Sequence, residues 1–297
     1  MIIDIHSHPD FLGFNLNRLL QNLEENNIDQ TWLLSWEAPV EEFDPVYYNQ
    51  FNIDADGPAS FGKCLKYAEI CPDKFILGYA PDPRRPEAID KLKAAVDVYG
   101  VRVYGELKLR MMYDNPDAIR IFHYCGEVGM PVILHNGDGV PTGVSYPRPD
   151  YWYGGGMGAL ERVLQQCPET NIIGHATGFW AYISGDYGDS GKVFYPKGKI
   201  APGGKLPELL RQYENLYCDI SAGSGKNALT RDPVFAKGFV TEFQDRILFG
   251  RDGEMDNSHQ KALEALGLPA ETLKKIYREN AQKLLPVLGS SQGSLRF

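Results

Sequence analysis

Several features that would place a chain quickly are scarce or missing here. There are only five cysteines (Cys64, Cys71, Cys125, Cys167 and Cys218), an odd number with no Cys-x-x-Cys pair. That argues for reduced, mostly buried thiols rather than a disulfide framework. No apolar run reaches the ~18 residues needed to cross a bilayer. The start, Met1-Ile2-Ile3-Asp4-Ile5-His6, has neither a basic region nor a small-residue cleavage site, so a cytoplasmic protein is expected. Positive charge is short as well: 30 Lys and Arg face 39 Asp and Glu, for a net charge of −9. With no basic run to offset it, this balance speaks against a nucleic-acid partner or an acidic membrane surface. Repeats, low-complexity tracts and linkers are missing too, so residues 1–297 read as one domain.

What is present is a regular alternation. Hydrophobic residues make up 43% of the chain, enough for a sizeable core. Short apolar runs predict strands at Ile2–His6, Thr31–Ser35, Phe75–Ala80, Tyr104–Leu109, Pro131–His135, Asn171–His175, Leu216–Ile220 and Arg246–Gly250. Helical patterns separate them, and a helical region runs from about His259 to Leu288. Near-continuously apolar strands alternating with helices imply a parallel sheet covered on both faces. Eight such units in one chain fit an α/β fold of the (β/α)8 TIM-barrel type.

In such a barrel the chemistry sits at the C-terminal ends of the strands. Four of the six histidines fall there: His6 and His8 on the first strand, His135 on the fifth and His175 on the sixth. Asp252 follows the eighth strand and Glu106 lies on the fourth. His6 and His8 are two apart, so both face the same side of a strand. Imidazole and carboxylate are ligands for Zn²⁺, with Mn²⁺ or Fe²⁺ as alternatives. Singly, each group reads as an ordinary hydrogen-bonded residue or helix cap; five strands supplying such groups at one end point to a site for one or two divalent ions. His123 and His259, inside or near helices, read as structural or surface residues.

The motifs Asp4-Ile5-His6-Ser7-His8, Pro131-Val132-Ile133-Leu134-His135, Ile173-Gly174-His175 and Ile247-Leu248-Phe249-Gly250-Arg251-Asp252 together resemble the amidohydrolase superfamily. Within it they are similar to the amidohydrolase-2 group, which includes the aminocarboxymuconate semialdehyde decarboxylase-like enzymes. The stretch from Ile276 to Leu285, with its Asn280-Ala281 pair, resembles that group's closing helix. The resemblance implies a distorted barrel with a metal at its mouth, held by His6, His8, His135 and Asp252. His175 would hold a second metal or act as a base. Two positions depart from the pattern. Arg251 stands where the group often has serine, and either pairs beside the site or holds an anionic substrate. Gly105-Glu106 resembles the Gly-Glu of TatD-like deoxyribonucleases, where the glutamate helps hold two metals; an ion pair with Lys108 is the alternative.

Long loops are expected after strands 2, 5 and 6. The first, Trp36 to Gly57, holds Glu37, Glu41, Glu42, Asp44, Asp54 and Asp56 and no Lys or Arg. The others are rich in aromatics, among them Tyr146, Tyr151, Trp152, Tyr153 and Tyr195, suited to a binding pocket, to loop packing or to a homo-oligomer contact. The expected activity is metal-dependent hydrolysis of a small organic substrate, an amide, ester, lactone or phosphoester. Asp252 and His175 are its expected catalytic residues, and Arg251 and Lys108 its substrate contacts. A non-oxidative decarboxylase or hydratase is the alternative.

Overall fold

The computed structural model describes residues 1–43, 50, 51, 53, 57–139, 151–189 and 192–285. Asp44, Asp54, Asp56, Tyr146 and the end of the C-terminal region after Leu285 lie outside the described residues. Eight strands appear in the expected places: β1 (Ile3–Ser7), β2 (Gln30–Leu34), β3 (Phe75–Gly78), β4 (Tyr104–Leu107), β5 (Val132–His135), β6 (Ile172–His175), β7 (Leu216–Asp219) and β8 (Ile247–Leu248). They pair in parallel as β1-β2-β3 and β4-β5-β6-β7-β8. A Gly78–Val103 bridge joins the two runs on one side. On the other, Ile5 N donates to Phe249 O at 2.9 Å and Asp252 N to His6 O at 3.0 Å, closing the barrel. β8 is shorter than its apolar run because Phe249 N turns away, donating to Ile276 O of the closing helical segment at 3.1 Å.

Local chemistry sets the helix starts. Asn15 accepts from Arg18 N ahead of the helix Leu16–Glu25, and Asn115 accepts from Asp117 N ahead of Pro116–Glu127. Pro116 sits in the first turn, where its missing N–H costs nothing. The helix Ala222–Thr230 has no counterpart in the sequence pattern. Its small and polar residues, Ala-Gly-Ser-Gly-Lys-Asn, show no apolar stripe to betray it. The loop after β2 is pinned to its neighbours by Glu42, which accepts from Arg84 Nη1 at 2.6 Å and Arg110 N at 2.8 Å.

Strand alternation divides the core in two. Ile3, Ile5, Trp32, Leu34, Ile76, Val103, Ile133, Ile173, Tyr217 and Leu248 fill the barrel, joined by Ala281 and Leu284. The alternate residues, such as Leu33, Leu77, Leu134, Cys218 and Phe249, pack under the helices. Two strands break this alternation. In β1, Asp4 pairs with Thr31 but Ser7 with Leu33; in β4, Tyr104 pairs with Val132 but Leu107 with Leu134. Each strand carries one residue more than its partner, the signature of a β-bulge, which re-aims the side chains beyond it. Ile5 and His6 therefore both belong to the interior side of β1, as do Val103 and Glu106 in and before β4.

All five cysteines are free, and Cys64, Cys125, Cys167 and Cys218 are buried. Among the described residues no helix is long and apolar enough to cross a membrane. Ile133 lies wholly buried inside the barrel. Ile133→Ala is expected to cost ~2–5 kcal/mol in chemical denaturation, the usual penalty for a core cavity. A loss under ~1 kcal/mol would show that this interior is not close-packed.

Candidate metal centre

The barrel mouth gathers side chains from six strands. The bulges bring in His6 and His8 from β1 and Glu106 from β4, while plain alternation brings in His135, His175, Asp219 and, beyond β8, Asp252. Glu106 sits at the centre. Its Oε2 lies 3.2 Å from His8 Nε2 and 3.8 Å from His6 Nε2. Its Oε1 lies 2.6 Å from His135 Nδ1 and 3.8 Å from His175 Nε2. Asp252 spans the same two groups, with Oδ1 3.8 Å from both His6 and His8 Nε2 and Oδ2 3.3 Å from His175 Nε2.

Apart from the 2.6 Å hydrogen bond between Glu106 and His135, these spacings suit a cation. Ligand atoms around a tetrahedral ion with bonds of ~2.0–2.2 Å stand ~3.3–3.6 Å apart. His6 Nε2 and His8 Nε2 are 3.3 Å apart. The other nitrogen of each is already engaged: His6 Nδ1 donates to Asp219 Oδ2 at 2.7 Å, and His8 Nδ1 to Leu34 O at 2.8 Å. In the neutral rings this leaves two bare Nε2 lone pairs facing each other, an arrangement that a shared cation relieves. His175 Nε2, also buried, has no hydrogen-bond partner among the described residues and faces the same carboxylates.

A family model described as amidohydrolase matches residues 54–287. The chain belongs to the amidohydrolase family. No match is found among curated proteins. Among solved structures, an uncharacterized TIM-barrel protein of Bordetella bronchiseptica superposes with a TM-score of 0.63 at 18% identity, over 95% of this chain and 97% of the other. A dihydroxybenzoic acid decarboxylase of Polaromonas sp. JS666, with bound manganese and the inhibitor 2-nitroresorcinol, gives 0.55 at 18% identity, over 90% of this chain and 85% of the other. A probable 2-pyrone-4,6-dicarboxylic acid hydrolase of Acinetobacter baumannii gives 0.57 at 12% identity, over 95% and 98%. At these identities the likeness establishes the barrel fold. Family membership makes the chain an enzyme, and its His, Glu and Asp clusters fit a divalent metal.

Electrostatics follow from packing so many ionisable groups out of water. Burial pushes His6 towards the neutral form, but Asp252 and Asp219 hold its pKa well above the ordinary imidazole value. Burial likewise opposes ionised Glu106, yet His135, His6 and His8 keep it well below the usual carboxylate range. Asp252 is held down by His6 and His175 against the same burial. His135 is pushed down to about 3, first by burial and then by the Lys108 ammonium. This family member therefore presents ionised carboxylates to a set of imidazoles, a donor set whose protons a metal ion displaces on binding.

The remaining expected residues fall in different places. Lys108 is at the mouth, its Nζ 4.4 Å from the centre of the Trp36 ring, and it lines the cavity with His135, Tyr151, His175 and Asp252. The structure does not bring Arg251 into this group. Strand alternation puts it between inward-facing Gly250 and Asp252, so its guanidinium turns outward to Asp4 and Asn22. Of the two helix-associated histidines, His123 pairs with Glu169 on the surface and buried His259 lies 3.0 Å from Ala222 O.

Sequence reasoning passed over Asp219, which orients His6 and lies 3.2 Å from His175 Nδ1. Its signal was its place, two residues beyond inward-facing Tyr217 at a strand end. Gly250 is required for this contact, because a Cβ there would stand 2.6 Å from Asp219 Oδ1 and 3.3 Å from His6 Cβ. Gly250→Ala is expected to weaken divalent-ion retention ~10–100-fold, the usual cost of disturbing a ligand's supporting partner, while leaving circular dichroism unchanged. Wild-type metal content after dialysis would refute the role given to Asp219.

Proposed function

We propose that the protein is a metal-dependent hydrolase of a small organic substrate, working through an activated water at the barrel mouth. The observation that carries this is the placement of Glu106: one carboxylate oxygen faces His6 and His8, the other His135 and His175. Asp252 lies against His6 and His8 through one oxygen and His175 through the other, so the residues suit two divalent ions. His6, His8, Glu106 and Asp252 would hold one divalent cation and His135 and His175 a second, which when bound would supply Lewis acidity to a carbonyl and acidify water.

The side chains do the rest. Asp252 has 15% of its side chain exposed, against 2% for Glu106, so it is the carboxylate that meets the cavity. It accepts the proton of the attacking water and returns it to the leaving group. His175, 3.3 Å from Asp252, would hold the second ion, and in a site with a single ion would instead steady charge developing on the substrate oxygen. Lys108 keeps its pKa raised: burial works against the charge, but Tyr151 and Glu106 outweigh it. Its ammonium therefore offers a fixed charge for an anionic group of the substrate. The cavity, of about 290 Å³, takes a small molecule. The net charge of −9 disfavours a polynucleotide. Zinc and manganese both suit the donor set, and manganese is the ion in the Polaromonas decarboxylase.

Non-oxidative decarboxylation is the second reading. It is supported by that neighbour and by His175 Nε2, which has no hydrogen-bond partner among the described residues and could move a proton. Metal analysis of protein purified without chelator, then turnover of small esters, lactones, amides and carboxylic acids in ¹⁸O-water, separates the two. Two ions per chain and ¹⁸O in the product are expected. One ion per chain with release of CO₂ would replace hydrolysis by decarboxylation. In the metal-loaded protein, Asp252→Asn should lower kcat at least ~100-fold, because an amide cannot shuttle the proton. A near-normal kcat would take Asp252 out of the mechanism.

A further inference from the structure

We propose that Arg251 is a positioning residue, which with Asp4 forms a buried clamp that fixes the backbone of His6 and Asp252 and so sets the affinity of the centre for its cation. The inference rests on the metal reading of the mouth given above. It starts from the β1 bulge, which leaves Asp4 on the outer side of the strand while His6 faces in.

The Asp4 carboxylate gathers three donors. Its Oδ1 accepts from His6 N and from Arg251 N, both at 3.1 Å, and its Oδ2 accepts from Arg251 Nε at 2.8 Å. One buried group thus ties the peptide of a histidine on β1 to the peptide just before Asp252. Arg251 is held from its other sides too. Nη1 donates to Asn22 Oδ1 at 2.8 Å, and the Arg251 carbonyl accepts from Ala222 N at 3.0 Å and Glu254 N at 3.2 Å. Asn22 in turn donates to Met255 O, anchoring the loop beyond Asp252. Only Arg251 Nη2 lacks a partner among the described residues.

The clamp has something to hold. Asp252 has φ +40°, in the left-handed region that a side chain adopts only when its surroundings dictate it. It is gripped on one side by the Arg251 peptide and through its own N–H by His6 O at 3.0 Å. That conformation sends its carboxylate to His6, His8 and His175. Both members of the pair are 1% exposed, and among the described residues each has the other as its ion-pair partner. The planar fork of arginine reaches Asp4 and Asn22 together; a lysine ammonium, a single point charge, cannot reproduce both contacts.

The test is Co²⁺ binding to the metal-free full-length protein, read by titration and by visible absorption, for wild type, Arg251→Lys, Asp4→Asn and the double variant. Asn22→Ala, which removes only the outer support, is the fallback should the other variants fail to fold. Wild type is expected to bind Co²⁺. Arg251→Lys and Asp4→Asn should each weaken binding ~10–100-fold and shift the absorption of the saturated protein, since the ligands themselves have moved. The double variant should be little worse than the worse single one, because both remove one unit. Asn22→Ala should weaken binding a few-fold. A folded Arg251→Lys protein, or Asn22→Ala if that is the one that folds, with wild-type affinity and spectrum overturns the clamp alone. A wild-type protein that takes up no cation overturns the metal reading and the clamp with it.

Discussion

Everything at the mouth depends on keeping charge neutral without water. Four imidazoles and the carboxylates of Glu106 and Asp219 are nine-tenths buried or more, with Asp252 only slightly more open. Carboxylates in such a place are tolerable only beside cations or donated protons. The metal-free protein meets that condition by favouring protons on His6 and His175, whose pKa values the facing carboxylates raise against burial. The metal-loaded protein would meet it by exchanging those protons for a doubly charged ion. The Nδ1 contacts of His6 and His8, to Asp219 and to Leu34 O, keep both rings in place through either state.

The two bulges reconcile this polar layer with an apolar barrel. A strand with strict alternation that puts Ile3 and Ile5 inside would send His6 out into the helix layer, and Val103 inside would do the same to Glu106. One extra residue in β1 and one in β4 let each strand serve the core first and the mouth afterwards. β5 to β8 need no such device, because Ile133 and His135, Ile173 and His175, and Tyr217 and Asp219 are two apart. The asymmetry explains why Asp4 ends up outside, where it is free to take Arg251.

Most of the architecture was legible because parallel barrel strands are short apolar runs, and these runs are plain in the chain. The strand-end rule also found His6, His8, Glu106, His135, His175 and Asp252. What it missed has physical reasons. Asp219 looks like a helix cap or turn residue until the parity of β7 is known. For Arg251 the sequence left pairing beside the site and a substrate contact both open, and it marked no role for Asp4; only the three-dimensional register shows that the two neutralise each other. The helix Ala222–Thr230 hides because its small residues pack closely without an apolar stripe. The bulges left no local mark, since their cause lies in the neighbouring strands.

The shortest strand of the barrel, the two-residue β8, lies beside its closing seam, where the first strand meets the last. His6 and Asp252 stand on opposite sides of that seam. An ion held by both would therefore be a cross-link between the beginning of the chain and its final strand, as well as a reagent. Occupancy of the centre and closure of the barrel become a single equilibrium. The region loosened when the ion leaves would be the edge formed by β1 and β8.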